Sequence, residues 1–461
     1  MAKFYDLAIL GGGPGGYVAA IRAAQLGLSA CLIEMAVPGG VCLNWGCIPS
    51  KSVIHQASQF RALAEMEAVG VGVDRRGLDY GRVQARSREA ADTLARGVAA
   101  LLKKNNVDVV MARGTLRGRG GIALSGGQAD GSTIEAKTII VATGSRPLRV
   151  PGFAIDEKVV LSSTGALSLE VLPASMAILG AGAVGCEFAF VMNAFGVRVT
   201  LLEVAPHILP AEDHEVAAVL EASLRRSGID VRTNTRALGL REGGAEAIVD
   251  IETAGKPASV RAEKILAAFG RTPNTDGIGL DAAGVAVDPA GRILTDGPPG
   301  RTNARASTPS ATSPRRSSKE GEIAVEHIAG RPVGAGLDPD LVPSAVYCEP
   351  QVVGFGLRED EARRESVRYA ASVFPYRGAG KSVAVGRTTG LVKILAAPDT
   401  GEILGAHIVG QDATELIHEL LLAKAAELTA EDVAGMIHAH PTLSEAVMEA
   451  ARGVEGRPIH L

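Results

Sequence analysis

The sequence predicts an α/β protein, with two Rossmann-like dinucleotide-binding domains followed by a smaller α+β region. Three observations predict it. The pattern G-x-G-x-x-G occurs twice, at Gly11, Gly13 and Gly16 and again at Gly180, Gly182 and Gly185. Each copy lies between an apolar strand-like run and a helix of small or apolar residues, and an acid closes the next strand at equal spacing, Glu34 in the first copy and Glu203 in the second. Beyond about Leu341 the pattern changes to strands at 366–375 and 390–395 and long apolar helices at 413–427 and 443–453. The expected regions are therefore 1–147, 148–275, 276–340 and 341–461.

In order along the chain, 4–10 is a strand, the first glycine turn comes next, a helix runs to Gly27, and 29–33 is a strand ending at Glu34. Backbone N–H groups at the start of such a helix hold a pyrophosphate, and the glycines let it approach. The acid takes the ribose hydroxyls. One copy alone is weak evidence, whereas two copies in the same context are hard to explain structurally. An amphipathic stretch covers 83–104, and 138–145 reads as a strand and tight turn. The second copy uses a strand at 176–179, a helix through 187–195 and a strand at 197–202, and 265–274 is its own strand and turn. An acid at Glu203, where an Arg would suit a 2′-phosphate, points to NAD over NADP.

Cys42 and Cys47 lie in the run 39–51, just after the first glycine unit. Bonded cysteines need Cα atoms within about 7 Å, and five steps of regular helix rise about 7.5 Å, so this segment departs from ideal helix. Gly46 permits that. Pro49 suits the first turn of a helix starting near Cys47, where the positive helix end favours a thiolate. A redox disulfide is the reading favoured; a zinc half-site or two buried small residues are the alternatives, and no second Cys/His pair at ligand spacing stands nearby. Two nucleotide sites plus a redox disulfide call for a flavin relay, FAD, between NAD and the cysteines. His440 precedes a proline and a helix start, with Glu445 five residues on. By itself it reads as a surface histidine in a capping turn, but a dithiol substrate would need a base of this kind, and a carboxylate raises imidazole basicity.

At 461 residues the chain needs several cores, and 46% hydrophobic residues are enough to fill them. A net charge of −4 and a pI near 6.2 give no electrostatic case for nucleic acid or an anionic membrane. No apolar run approaches the length of a membrane span, and Met1 leads directly into a strand with no signal-peptide pattern. Five cysteines in a chain of this length are no secretory framework, so a cytoplasmic enzyme without a metal site is expected.

Taken together, these residues resemble the class I pyridine nucleotide-disulfide oxidoreductases, and among them the branch that serves 2-oxo acid dehydrogenase complexes as their dihydrolipoamide-oxidising component. The resemblance runs from Asp6 to Leu461. It implies that Gly11, Gly13, Gly16 and Glu34 seat the FAD adenosine, that Lys51 lies near the flavin, and that Gly114, Thr143, Gly144 and Ser145 touch the same cofactor. It likewise implies NAD contacts at Gly180, Gly182, Gly185, Glu187, Glu203 and Gly270. Cys47 would face the flavin and Cys42 the substrate. His440, paired with Glu445, would be the acid-base residue, reaching across a homodimer interface formed by the C-terminal α+β dimerisation domain. The implied reaction oxidises dihydrolipoamide on the lipoyl domain of the core acyltransferase (E2) and reduces NAD+. Relatives with an extra C-terminal cysteine pair, without the first redox cysteine, or with basic residues at the Glu203 position match less well. A related NAD(P)H-dependent disulfide reductase is the alternative.

One stretch departs from the family. After Asn303 the family continues with a Val-Pro-Gly turn, a strand, and Tyr-Ala-Ile-Gly-Asp, whose Asp binds the FAD ribitol. Here 304–318 is rich in Ser, Thr, Pro and Arg, has no Asp, and reads by composition as a linker. Gly-Val-Tyr-Ala-Ile-Gly-Asp-Val-Ala written in GC-rich codons and read one base later gives Ala-Ser-Thr-Pro-Ser-Ala-Thr-Ser-Pro, which is 306–314 residue for residue. The sequence thus predicts a frameshift near Asn303, restored by Lys319, Glu320 and Gly321, against the alternative of a natural insert. A catalytically impaired product without a proper flavin seat is the functional alternative that this stretch implies.

Overall fold

The computed structural model describes residues 3–118, 120–244, 246–295, 300–302, 306–307, 314–334 and 336–460. The chain forms two compact units. The four expected regions are distributed over them.

One unit gathers Met1–Val53, Gly81–Leu148 and Gly270–Asp338. Its sheet runs in the order Asp108–Met111, Ala30–Glu34, Lys3–Leu10, Thr133–Val141, Gly121–Ser125, Arg113–Arg117. The strands around Lys3–Leu10 are parallel, and those beyond Thr133–Val141 turn antiparallel. Leu7, Ala8, Ile9, Leu32 and Ile33 are buried, as a parallel strand covered on both faces requires. The helices Pro14–Gln25 and Tyr80–Lys104 bring Ala19, Ala20, Ala23, Val98 and Leu102 onto one face.

The stretch read as a linker contains more order than its composition suggests. Ala306–Ser307 pairs in parallel with Ile139 and Ile140, and a helix spans Pro314–Ile328. The remainder of the expected frameshift region, 303–305 and 308–313, lies outside the described residues. The core contacts of the helix come from its second half, beyond Lys319, Glu320 and Gly321, where the family's reading frame is expected to resume. Ala324 and Val325 enter the core, and Glu326 pairs with Arg22 at 2.6 Å. Gly321 sits so close to the Pro14–Gln25 helix that an added Cβ would lie 2.5 Å from the Gly15 carbonyl oxygen.

The other unit gathers Ile54–Tyr80, Arg149–Phe269 and Pro339–Leu461. It carries a parallel sheet in the order Asp230–Arg232, Arg198–Leu202, Ser175–Leu179, Lys264–Ala267, Val160–Leu161, and an antiparallel meander of Thr235–Gly243, Glu246–Thr253 and Lys256–Ala262. A separate antiparallel sheet has the order Ser344–Val346, Gln351–Gly356, Ile403–Gly410, Leu391–Ala396, Ala370–Pro375. The strand expected at 366–375 begins only at Ala370, because Ser366 at φ +57° caps the helix Glu359–Glu365. The helices Ala413–Ala425 and Ser444–Val454 pack Ile417, Leu420, Ala446, Val447 and Ala450 against this sheet. Their other faces leave Leu422 69% exposed, and the loop between them leaves Ile437 99% exposed.

Candidate functional site

The two glycine turns are built alike, and each glycine answers a different demand. Gly11 and Gly180 have φ of +106° and +105°, and a Cβ there would strike the carbonyl oxygen of Ala142 or Ala268. Gly16 and Gly185 lie where a Cβ would come within 1.8 and 1.9 Å of the Gly11 and Gly180 carbonyl oxygens, so helix and turn touch directly. Gly13 and Gly182, the N-cap residues of helices Pro14–Gln25 and Ala183–Ala194, face open space. That is the room a pyrophosphate needs beside helix N–H groups.

The two acids also match. Glu34 accepts the Gly12 N–H at 2.7 Å and the Ala36 N–H at 2.8 Å; Glu203 accepts those of Ala181 at 2.7 Å and Ala205 at 2.9 Å. Each carboxylate is over nine-tenths buried and fixed by backbone, with lone pairs left for ribose hydroxyls. The residues fit two dinucleotides. Glu187, also buried, accepts the Tyr347 N–H at 3.1 Å. Thr143, Gly144 and Ser145 are bound to the 270–274 segment, whose strand Arg271–Pro273 pairs antiparallel with Ser145–Pro147. Asn274 donates to the Thr143 and Gly144 carbonyls at 3.0 Å each, and Arg271 donates to Ser145 Oγ at 2.8 Å. Gly270 has φ +110°. At Gly114 a Cβ would meet Leu10 Cδ1 at 2.3 Å, so core packing by itself accounts for glycine there.

Cys42 lies in the helix Gly40–Trp45, and Cys47 opens the helix Cys47–Ala68. Gly46, at φ −143° and ψ −108°, breaks the helix between them, which is the departure that bonded cysteines at this spacing need. Both side chains are half-buried, and Lys51 is half-buried one turn on. The start of a 22-residue helix favours a thiolate at Cys47. Burial lowers the Arg271 pKa, and Cys47 acts on it in the opposite direction. The remaining cysteines are buried. Burial, with the charge of Asp108, pushes the Cys31 thiol up to about 12, and burial drives Cys186 well above the ordinary thiol range. Neither is suited to exchange at neutral pH.

His440 Nδ1 lies 2.8 Å from Glu445 Oε1, and Glu445 Oε2 accepts the Thr442 N–H at 2.8 Å. Burial would raise the Glu445 pKa, but the bonds from His440 and Thr442 and the charges of His440 and His438 bring it below the usual carboxylate value. The His440 side chain is 78% exposed. The dyad belongs to the second unit and the cysteines to the first. Among the described residues no group of acids, histidines and cysteines forms a metal site, and no helix is long and apolar enough to cross a membrane.

Residues 5–305 match the family model of pyridine nucleotide-disulphide oxidoreductases, and residues 342–451 match the dimerisation domain of the same family. The chain belongs to the pyridine nucleotide-disulphide oxidoreductase family. It is 38% identical to a dihydrolipoyl dehydrogenase of Bacillus subtilis over the whole of both chains. It is 36% identical to the mitochondrial dihydrolipoyl dehydrogenase of Pisum sativum, over 99% of this chain and 92% of the relative. Among solved structures, LpdA from Mycobacterium tuberculosis matches with a TM-score of 0.89 and 27% identity, over 98% of this chain and all of that one. The HOCl-induced flavoprotein disulfide reductase RclA from Escherichia coli matches with a TM-score of 0.84 and 26% identity, over 97% of this chain and 99% of that one.

Members of this oxidoreductase family use FAD and a pyridine nucleotide, and the paired glycine turns here are built for two such cofactors. Asn274 and the backbone N–H groups of Ala36 and Ala205 are not legible as site residues in the sequence. Their contribution is a main-chain or long-range contact, which leaves no residue-type signature.

Proposed function

We propose that the chain is a dihydrolipoyl dehydrogenase: it oxidises protein-bound dihydrolipoamide to lipoamide and reduces NAD+ to NADH with release of a proton. The observation that carries this reading is the combination, in one chain, of a cysteine pair across a broken helix start and a carboxylate-held histidine. Full-length relatives of that name support it. In this reading 1–147 binds FAD, 148–275 binds NAD, 276–340 completes the FAD region and 341–461 forms the interface of a cytoplasmic homodimer.

The residues divide the work. Gly11, Gly13, Gly16 and Glu34, with Lys51, Gly114, Thr143, Gly144 and Ser145, would hold FAD; Gly180, Gly182, Gly185, Glu187, Glu203 and Gly270 would hold NAD. FAD, when bound, supplies a two-electron carrier between the cysteine pair and NAD+. His440 takes the proton of one substrate thiol while Glu445 fixes the ring through Nδ1. The substrate thiolate attacks Cys42 Sγ of the Cys42–Cys47 disulfide, and Cys47 leaves as a thiolate stabilised at its helix start. The second substrate sulfur then displaces Cys42, so the substrate ends as a disulfide and the cysteines as a dithiol. The exposure of His440 and Ile437, inside the region matching a dimerisation domain, supports a histidine that serves the cysteines of the partner subunit. The substrate dithiol would arrive on the lipoyl domain of an E2 acyltransferase core.

The test is anaerobic NADH formation from dihydrolipoamide, followed at 340 nm with flavin-loaded protein. His440→Gln is expected to lose about 10²–10⁴-fold in rate. Loss of less than threefold would remove His440 from the reaction.

The composition of 304–318 favours a second reading, in which this copy seats its flavin weakly. A family-type Asp is absent from that stretch, and a charge-assisted anchor is lost with it. The flavin-to-protein ratio after gel filtration decides: well below one for the chain as written and near one after the reading frame is restored. Equal ratios would dismiss this reading.

A further inference from the structure

The segment that carries His440 lies between the helices Ala430–Gly435 and Ser444–Val454 and has no regular structure of its own. Most of its bonds are local: Thr442 Oγ1 donates to the Ala439 carbonyl at 2.7 Å, and Glu445 takes both His440 and the Thr442 N–H. His438 reaches further. Its Nε2 lies 2.7 Å from Glu419 Oε1, on the helix Ala413–Ala425. That helix is firmly seated, with Ile417, Leu420 and Ala423 in the core and Lys424 Nζ donating to the Ile403 carbonyl at 2.9 Å. The His438 side chain is 4% exposed, between the open side chains of Ile437 and His440.

The other ring nitrogen, Nδ1, lies 3.3 Å from the Met436 carbonyl oxygen. Both nitrogens therefore face acceptors, one on the Ala413–Ala425 helix and one in the segment's own backbone.

We propose that His438, gripped by Glu419, is a positioning residue for His440: it ties the 436–442 segment to the firmly seated Ala413–Ala425 helix and so holds His440 in place for Glu445. This rests on the dihydrolipoyl dehydrogenase reading above. The substrate thiol proton still goes to His440, and neither His438 nor Glu419 touches the substrate.

The experiment compares flavin-loaded wild type, His438→Ala, Glu419→Ala, Glu419→Gln, and His438→Ala combined with His440→Gln. Two rates are read: NAD+ reduction by dihydrolipoamide, and NADH oxidation by ferricyanide, which needs no thiol proton removed. Each alanine variant is expected to lose tenfold or more in kcat for dihydrolipoamide, with KM for NAD+ and the ferricyanide rate within twofold of wild type. Glu419→Gln, which keeps an acceptor oxygen, is expected to recover most of the loss. The double variant should be no slower than His440→Gln alone, because residues that act as a unit are not additive. Wild-type dihydrolipoamide rates in both alanine variants, or a double variant slowed by the full product of the single losses, overturn the proposal. A wild type inactive with dihydrolipoamide overturns the underlying reading and this proposal with it. If His438→Ala does not fold, the Glu419→Ala and Glu419→Gln pair decides alone.

Discussion

Gly182 and Gly185 stand in one turn and fail differently when a methyl group is added. At Gly185 the new carbon would press on the Gly180 carbonyl oxygen at 1.9 Å, and backbone cannot yield as a side chain does. Gly185→Ala should therefore cost about 1–3 kcal/mol and lower Tm. Gly182, at φ −72° with nothing within 4 Å, accepts a methyl group without strain. In the proposed reading, Gly182→Ala should leave Tm unchanged and raise KM for NAD+, since the methyl would enter the open space assigned there to the pyrophosphate. Thermal melts and steady-state kinetics check the pair; equal Tm losses would contradict the division of labour. The spacing of these glycines and the His440–Glu445 pair were legible in the sequence, because each depends on residues a few positions apart. The clamping of Glu34 and Glu203 by main-chain N–H groups was not, because any residue type could supply those donors.

Among the elements, the strand Leu391–Ala396 is buried throughout, yet its third residue is Lys393. The ammonium lies 3.1 Å from Asp213, 3.2 Å from Glu215 and 2.6 Å from Glu359. Burial would lower the Lys393 pKa, but hydrogen bonds to Glu359 and Asp213 outweigh it and raise it. Glu359, bonded first to Lys393, falls from 4.5 to about 2. A carboxylate with a depressed folded pKa contributes stability that is complete above its unfolded value and lost as pH falls towards the folded one. The Glu359 contribution should thus fade between about pH 4.5 and pH 2, and Glu359→Gln should flatten that part of a stability-versus-pH curve. A curve unchanged by Glu359→Gln would contradict it. Lys393→Met leaves Asp213 buried without its cation and should cost about 3–5 kcal/mol in denaturant titrations. The strand itself could be read from its apolar run, but a lysine there reads as a surface residue until its partners, remote in sequence, are brought to it. The helix Pro314–Ile328 makes the opposite point: its polar first half reads as a linker, while Gly321, Ala324 and Val325 of the second half supply its core packing.

At the scale of the whole molecule, the two glycine units, the Cys42 and Cys47 pair, and His440 with Glu445 were enough together to show the resemblance to the family. Pairing between subunits carries no comparable sequence signal, since the apolar residues of 413–427 and 443–453 that enter the core, such as Ile417 and Leu420, and one left exposed, Leu422, are the same kind of side chain. If His440 serves the partner subunit, activity and dimerisation stand or fall together. Ile437→Asp, which puts a charge on the most exposed apolar side chain of that loop, should give a monomer by analytical ultracentrifugation and remove dihydrolipoamide oxidation, while ferricyanide reduction by NADH persists. A fully active monomer would contradict the arrangement. The central claim, that Cys42 and Cys47 connect a dithiol substrate to NAD+, is tested most directly by anaerobic NADH formation from dihydrolipoamide in flavin-loaded protein with Cys42 intact or changed to Ser. The account predicts steady absorbance growth at 340 nm for the intact protein and none for Cys42→Ser; equal rates in the two, or no NADH from the intact flavin-loaded protein, would contradict it.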